Sequence, residues 1–142
     1  ELASTFGSLS VQGEYEISSI ITHIDTYKAA GYYTFASFFV TGEHRPYKAS
    51  SFGRVKPKKE FCLKDRGFGA LELVARYSVM DFSSYPGVDS NDKIANITAG
   101  FNWYLNNYTR IMYNYTNGNF NDLETYGDFN LTGHLIRFQV DF

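Results

Sequence analysis

The sequence lacks several features that would place it in common protein classes. A single cysteine, Cys62, excludes a disulfide within the 142 residues. No apolar run reaches the 18 or more residues that a membrane-crossing helix needs. Thirteen basic residues against 15 acidic ones give a net charge of −2, without the cationic excess that favours nucleic-acid binding. We therefore expect no transmembrane helix in these residues and no nucleic-acid partner.

Motifs for catalysis and metal binding are also missing. The three histidines, His23, His44 and His134, show no metal-binding spacing. No Gly-x-Ser-x-Gly motif is present, and Cys62 lies in a polar stretch without a helix start to activate its thiol. We expect no enzymatic activity, no metal site and no cofactor.

Aromatic residues, by contrast, are abundant. They make up 18% of the chain, with 12 Tyr and 13 Phe. Tyrosine is common where apolar surface meets water, as at a membrane boundary. The mean hydropathy of −0.30 fits a soluble chain or a membrane-crossing sheet, because alternating strands keep the average low.

Six segments show the alternation of apolar and polar residues that is typical of half-buried strands. In the last of them, Ile136, Phe138, Val140 and Phe142 share one face, and Arg137, Gln139 and Asp141 share the other. About ten such residues cross a bilayer when the strand is tilted. The second segment is apolar on both faces, so its orientation cannot be read. The predicted strands are Gly7–Ile17, Ala30–Thr41, Gly69–Met80, Ala95–Leu105, Tyr108–Asn117 and Gly133–Phe142.

The connections between these strands differ in length. Asn106-Asn107 predicts a tight turn, whereas Ser83–Asp92 and Gly118–Thr132 are longer polar loops. Outer-membrane barrels show this contrast, with short periplasmic turns and long outer loops. Residues 42–68 depart from it, since they are long, basic and on the side of the short turns. They are an unusual periplasmic segment, a segment folded into the lumen, or a sign that the strand count is wrong here.

Several motifs together resemble the phosphate-selective porin O and P family. The resemblance is clearest from about Tyr32 to Phe142, and it includes the order and spacing of the motifs and the terminal aromatic residue. The motifs are Thr41–Tyr47, Phe52–Pro57, Gly69–Ser78, Gly100–Asn106 and Arg110–Tyr115.

The resemblance implies an all-β, antiparallel transmembrane barrel of sixteen strands, often trimeric, in the outer membrane of Gram-negative bacteria. Six strands are too few to close a barrel, because the smallest single-chain examples have eight. An open sheet would also leave unpaired backbone groups in lipid. We therefore expect residues 1–142 to be the C-terminal part of a barrel domain, supplying about its last six strands, with 42–68 as a long basic inter-strand segment.

Charged residues and one glutamine within the strands are candidates for lining the pore. Arginine on the lipid face costs about 2–4 kcal/mol at the membrane midplane, which directs such residues toward the lumen. Inward arginines could bind anions through the guanidinium fork, or pair with Glu72 and Asp141 to stiffen the wall. The candidates are Glu14, Glu72, Arg76, Arg110, Arg137, Gln139 and Asp141.

Aromatic residues suggest two further roles. Ile136, Phe138, Val140 and Phe142 resemble the C-terminal signal that the barrel-assembly machinery reads, and Tyr77, Trp103, Tyr104 and Tyr108 resemble an interfacial aromatic girdle. The expected partners are membrane lipid, the assembly machinery, and either two further copies in a homotrimer or other outer-membrane subunits.

Three functions remain open from the sequence. The first is a porin for passive diffusion of small, phosphate-like anions. The second is a structural barrel component of an outer-membrane assembly. The third is a soluble, lipocalin-like barrel that binds a small ligand, because alternating strands do not identify the solvent they face.

Overall fold

Seven strands of the described part of the chain form one antiparallel sheet. The structure, a computed structural model, describes residues 1–21, 26–48, 51–84, 93–121 and 128–142. Seven strands lie in the order β1-β2-β3-β6-β7-β8-β9, and β4 and β5 form a separate pair. The strands are β1 (Leu2–Phe6), β2 (Leu9–Ile21), β3 (Thr26–Phe39), β4 (Tyr47–Lys48), β5 (Ser51–Phe52), β6 (Ala70–Ser84), β7 (Lys93–Tyr104), β8 (Thr109–Asn121) and β9 (Phe129–Val140). No helix in the described part of the chain is long and apolar enough to cross a bilayer.

The number of sheet strands is seven, which corrects the predicted six. The six predicted strands correspond to β2, β3, β6, β7, β8 and β9, with ends that shift by a few residues. The added strand, β1, has only five residues and pairs with β2 across a tight turn at Gly7-Ser8. Gly7 has a positive φ of 60°, which glycine adopts without steric cost.

The sheet has two edges. β1 and β9 lie at opposite ends of the strand order, so the described strands do not close into a barrel. Each edge carries a row of backbone N–H and C=O groups without a neighbouring strand in the described residues, and such rows need partners in a bilayer.

Cross-strand register separates the sheet into an apolar and a polar face. One row across four strands is Leu73, Phe101, Tyr113 and Ile136, and the adjacent row is Glu72, Asn102, Met112 and Arg137. We call the sides that these rows represent the apolar face and the polar face. The alternation predicted strand by strand therefore continues across the whole sheet.

Register also orients β3, whose two faces are both apolar in sequence. Phe39 is paired with Glu72 and lies on the polar face, where it is 1% exposed. Phe38 is paired with Leu73 on the apolar face and is half exposed. The polar face thus holds buried aromatic rings beside charged groups.

The segment between β3 and β6 folds back over the end of the polar face. It includes the short hairpin of β4 and β5, and Val55 packs in a buried cluster with Phe39, Ala70 and Tyr104. Gly69 returns the chain to the sheet with a φ of 80°, and a Cβ there would lie 2.3 Å from the Tyr104 carbonyl oxygen. Only glycine fits this close approach without a shift of the backbone.

Candidate functional site

The strand residues predicted to line a pore share one face of the sheet. Register places Glu14, Glu72, Arg76, Arg110, Arg137 and Gln139 on the polar face. Asp141 follows the end of β9, and its Oδ1 accepts a hydrogen bond from Gln139 Nε2 at 2.7 Å. These groups therefore form one continuous polar surface from β2 to β9.

Glu72 is the centre of a buried ion pair on this face. Its side chain is fully buried, and Arg45 Nε lies 2.5 Å from Glu72 Oε1. Asn102 Nδ2 donates to the other carboxylate oxygen at 2.8 Å, and the Tyr104 hydroxyl donates to it at 3.0 Å. Both carboxylate oxygens are thus satisfied, as a buried charge requires.

Arg45 joins the inter-strand segment to the wall of the sheet. Its guanidinium carbon lies 5.3 Å from the centre of the Phe35 ring and 5.4 Å from that of Phe52. Burial disfavours the charged guanidinium, but the hydrogen bond and charge of Glu72 outweigh that effect and raise the pKa of Arg45. Arg45 therefore remains charged between two rings and a carboxylate.

A second carboxylate anchors the start of the same segment. Glu43 is 3% exposed and accepts hydrogen bonds from the Thr41 hydroxyl and from the backbone N–H of Lys58, the latter at 3.1 Å. Burial would raise the pKa of Glu43, but these hydrogen bonds and the charge of Lys58 hold it below its usual value. The ionised carboxylate thus ties the two ends of residues 43–58 together.

The ion-pair partners of Glu72 and Asp141 come from the inter-strand segment rather than from the strands. Arg45 pairs with Glu72, and Arg54 Nη2 lies 3.9 Å from Asp141 Oδ2. The expectation that strand arginines pair with Glu72 and Asp141 is therefore wrong for both carboxylates. The two segment arginines were not among the predicted pore-lining residues, because their partners are distant in sequence and no local pattern reveals the contact.

The strand arginines make other contacts. Arg110 donates from Nε and Nη2 to Gln139 Oε1 at 3.2 and 2.9 Å, and its Nη1 lies 3.5 Å from the Tyr104 hydroxyl oxygen. The guanidinium of Arg76 lies 4.5 Å from the centre of the Tyr33 ring. Arg137 is exposed and faces Met112 across β8 and β9. Neutral or aromatic neighbours leave the positive charge of Arg110 and Arg76 available.

Three guanidinium groups surround a cavity at the C-terminal end of the sheet. The cavity has a volume of about 270 Å³, and we call it the arginine pocket. Glu72 neutralises Arg45, and Asp141 is the carboxylate that approaches Arg54, so the lining retains positive charge. Its walls include Arg45, Arg54, Arg110, Tyr104, Asn106 and Asp141. This arrangement can bind a small anion, because guanidinium groups donate in pairs to phosphate or carboxylate oxygens.

The predicted aromatic girdle divides between the two faces. Register places Tyr77 and Trp103 on the apolar face, in rows with Ile97 and Leu71. Tyr104 lies on the polar face and is buried, so it is not part of an outward belt, and this corrects the prediction. Tyr108 lies in the turn between β7 and β8, with Arg54 over its ring at 5.1 Å. Alternation along β7 required Trp103 and Tyr104 to point to opposite faces.

The predicted assembly-signal residues are exposed, and the three within β9 lie on the apolar face. Ile136, Phe138 and Val140 lie on the apolar face, and Phe142 follows the strand end. All four are exposed. Among the residues that the structure describes, no group of His, Cys, Asp and Glu side chains could hold a metal ion, and His23 lies outside those residues.

Comparison with known proteins gives one family. The family model described as "Phosphate-selective porin O and P" matches residues 1–142. A curated relative, Porin O of Pseudomonas aeruginosa, is 29% identical over 157 aligned positions, which cover 100% of this chain and 34% of that protein. The chain thus spans about a third of the length of the curated relative that it matches, at the C-terminal end.

Proposed function

Because this chain belongs to the phosphate-selective porin O and P family, whose members are outer-membrane porins of Gram-negative bacteria, we propose that it forms the C-terminal part of an anion-conducting barrel. The family is not enzymatic, and its membrane location overturns the soluble, lipocalin-like alternative. In the proposed barrel, the apolar face contacts lipid and the polar face lines a water-filled lumen. Small, phosphate-like anions diffuse through it passively.

The open edges of the sheet support a larger closed barrel. β1 and β9 each need a second strand partner in a bilayer, and an aqueous channel needs a barrel of about sixteen strands rather than seven. The remaining strands would come from the part of the protein that the relative has and this chain does not span. Assembly into a homotrimer and recognition by the barrel-assembly machinery are parts of the same proposal.

The arginine pocket is the single observation that best supports anion preference. Arg110 lies in β8 on the proposed lumen face, and its hydrogen-bond acceptors are the neutral Gln139 and Tyr104. Arg45 and Arg54 bring two more guanidinium groups to the same cavity. A lumen with excess positive charge near one end raises the local concentration of anions and slows cations.

The test is the ion selectivity of the full-length protein in planar bilayers. We expect an anion-selective reversal potential in a salt gradient, and we expect Arg110→Gln to lower the anion-to-cation permeability ratio. Arg66→Gln is the matched control, because it removes the same charge from an exposed position outside the pocket. A cation-selective channel, or equal effects of both substitutions, would contradict the proposal.

A second function has one observation in its favour. The same open edges could pair with strands of other outer-membrane subunits, which would make the chain a structural component of an assembly. Purification from the outer membrane with different proteins in fixed ratio would favour this alternative, whereas homotrimers of one full-length chain would argue against it.

A further inference from the structure

Part of the inter-strand segment leaves the polar face and lies at the end of the apolar face. The Trp103 ring, on the apolar face, is stacked with Phe68 at 5.5 Å and meets the edge of Phe61 at 5.3 Å. Trp103 Nε1 also donates to the Phe68 carbonyl oxygen at 2.7 Å. Three aromatic rings therefore form a cluster that extends the apolar face beyond the strands.

A tight turn holds these rings in place. Cys62 and Gly67 exchange both backbone hydrogen bonds, at 3.0 and 2.9 Å, and the Phe61 N–H donates to the Leu105 carbonyl oxygen at 2.7 Å. A Cβ at Gly67 would lie 2.0 Å from the Glu60 carbonyl oxygen, so the chain is closely packed here. We call residues 61–68 the aromatic hairpin.

The tip of the aromatic hairpin exposes an apolar side chain among basic ones. Leu63 is 86% exposed and Phe68 is 54% exposed. Lys64 and Arg66 are neighbours in sequence and are also exposed, as is Lys59, whose Nζ donates to the Asp65 carbonyl oxygen. Asp65 and Glu60 are the acidic neighbours. Exposed apolar side chains next to exposed basic ones are suited to a boundary between hydrocarbon and phosphate.

We propose that the aromatic hairpin is a docking site for the headgroups of anionic phospholipids in the membrane leaflet at the C-terminal end of the sheet. Leu63, Phe61 and Phe68 enter the upper part of the hydrocarbon layer beside Trp103. Lys64 and Arg66 contact lipid phosphate groups, with Lys59 nearby. The hairpin thus fixes the depth of this end of the barrel in the bilayer.

Two observations favour lipid over a second protein chain. The hairpin is continuous with the apolar face through the stacked contact of Phe68 and Trp103, so whatever covers that face also reaches the hairpin. Its basic side chains complement phosphate, because each Lys or Arg near an anionic membrane surface increases the affinity for that surface. This inference depends on the membrane location proposed above, and channel conductance distinguishes a failure of one from a failure of the other.

The first test measures lipid binding to the full-length protein in detergent by native mass spectrometry. We expect phosphatidylglycerol to be retained in preference to phosphatidylcholine, and its affinity to fall at least about tenfold in Lys64→Gln/Arg66→Gln. The matched control is Arg54→Gln/Arg110→Gln, which removes two charges from the arginine pocket and should retain the lipid. Unchanged binding in the first variant, or equal loss in both, would overturn the inference. Conductance of Lys64→Gln/Arg66→Gln should equal that of the native protein.

The second test locates the tip directly. A fluorophore is attached at Leu63→Cys in a Cys62→Ser background, and the protein is reconstituted in vesicles of phosphatidylglycerol and phosphatidylcholine. We expect strong quenching by lipids with a nitroxide near the headgroup and little quenching by aqueous iodide. The same label at Asn107→Cys, in the turn that lines the arginine pocket, should be quenched by iodide instead. Iodide quenching at position 63, or crosslinking of this position to another subunit, would overturn the inference.

Discussion

At the residue scale, the pairing of Arg45 with Glu72 joins a segment that sequence patterns left unassigned to a wall that they predicted well. The carboxylate is fully buried and accepts hydrogen bonds from three side chains. A buried ion pair of this kind contributes less to net stability than to keeping one arrangement, because desolvation offsets much of the attraction. Its main consequence is position: it places Arg45 at the edge of the arginine pocket.

Removing one partner of this ion pair should lower the free energy of unfolding far more than removing both. We expect Arg45→Met to lower the free energy of unfolding by about 3–5 kcal/mol, since Glu72 would keep a buried, partly unpaired charge. The double variant Arg45→Met/Glu72→Met should recover most of that loss. Unfolding by guanidinium chloride of the full-length protein in vesicles measures these values, with Lys56→Met as an exposed control that changes little. A double variant no more stable than Arg45→Met would contradict the account.

Glu43 should make the segment sensitive to acid. Its pKa in the folded protein lies below the usual value, so its contribution is complete above about pH 4.3 and is lost as the pH falls through the lowered pKa. We expect the exchange protection of the Lys58 backbone amide, corrected for intrinsic rate, to fall in that acid range. In Glu43→Gln this pH dependence should be absent. Equal acid loss in both proteins would assign the effect to another group.

At the element scale, the assignment of the two faces along β7 is the basis for predicting which side of the sheet meets lipid. Thr98 and Ala99 are neighbours near the middle of the strand and lie on opposite faces, with Thr98 bonded to Thr116 and Ala99 in a row with Ala75 and Tyr115. They therefore form a closely matched pair of positions for testing which face meets lipid.

A charge on the apolar face should hinder membrane assembly more than the same charge on the polar face. We expect Ala99→Arg to destabilise the folded barrel by about 2–4 kcal/mol, because it places a guanidinium against lipid near the midplane. Thr98→Arg should cost clearly less, since its side chain reaches the proposed lumen. The yield of folded protein in the outer membrane measures the difference, and equal yields would mean that the faces are assigned wrongly.

The strands were predictable from the sequence where alternation was strong, and less so elsewhere. β7, β8 and β9 each carry a clear two-residue period, and the structure places them within a few residues of the prediction. β1 was missed because Leu2–Phe6 is too short to show a period, and it is a strand only through its pairing with β2. The orientation of β3 could be assigned only from its pairing with β6, because Phe38 and Phe39 are equally apolar. Register with Leu73 and Glu72 distinguishes their faces.

The candidate site was predictable only in part, for the same physical reason. Strand charges such as Arg110 and Glu72 could be assigned to one face from local alternation. Arg45 and Arg54 could not, since their partners lie far along the chain and the intervening backbone has no regular period. The aromatic hairpin could not be predicted from local sequence either, because Phe68 and Trp103, which are in contact, are 35 positions apart.

At the scale of the whole molecule, the described sheet has the features expected of one part of a larger barrel. It has an apolar face with many exposed large side chains, two unpaired edges in the described residues, and a polar face with buried charges. A soluble sheet would cover the apolar face with protein, whereas a membrane barrel leaves it to lipid. Family membership and the open edges both support the proposal that further strands of a longer protein complete a barrel.

Solvent access to single cysteines tests the central claim of lipid outside and water inside most directly. In a Cys62→Ser background, cysteines at Ile97, Ala99 and Tyr115 sample the apolar face, and cysteines at Thr98, Asn114 and Thr116 sample the polar face. In the reconstituted full-length protein, we expect a charged, water-soluble thiol reagent to modify the second set and spare the first. Labels on the first set should be quenched by brominated acyl chains. The reverse pattern, or no alternation, would contradict the account.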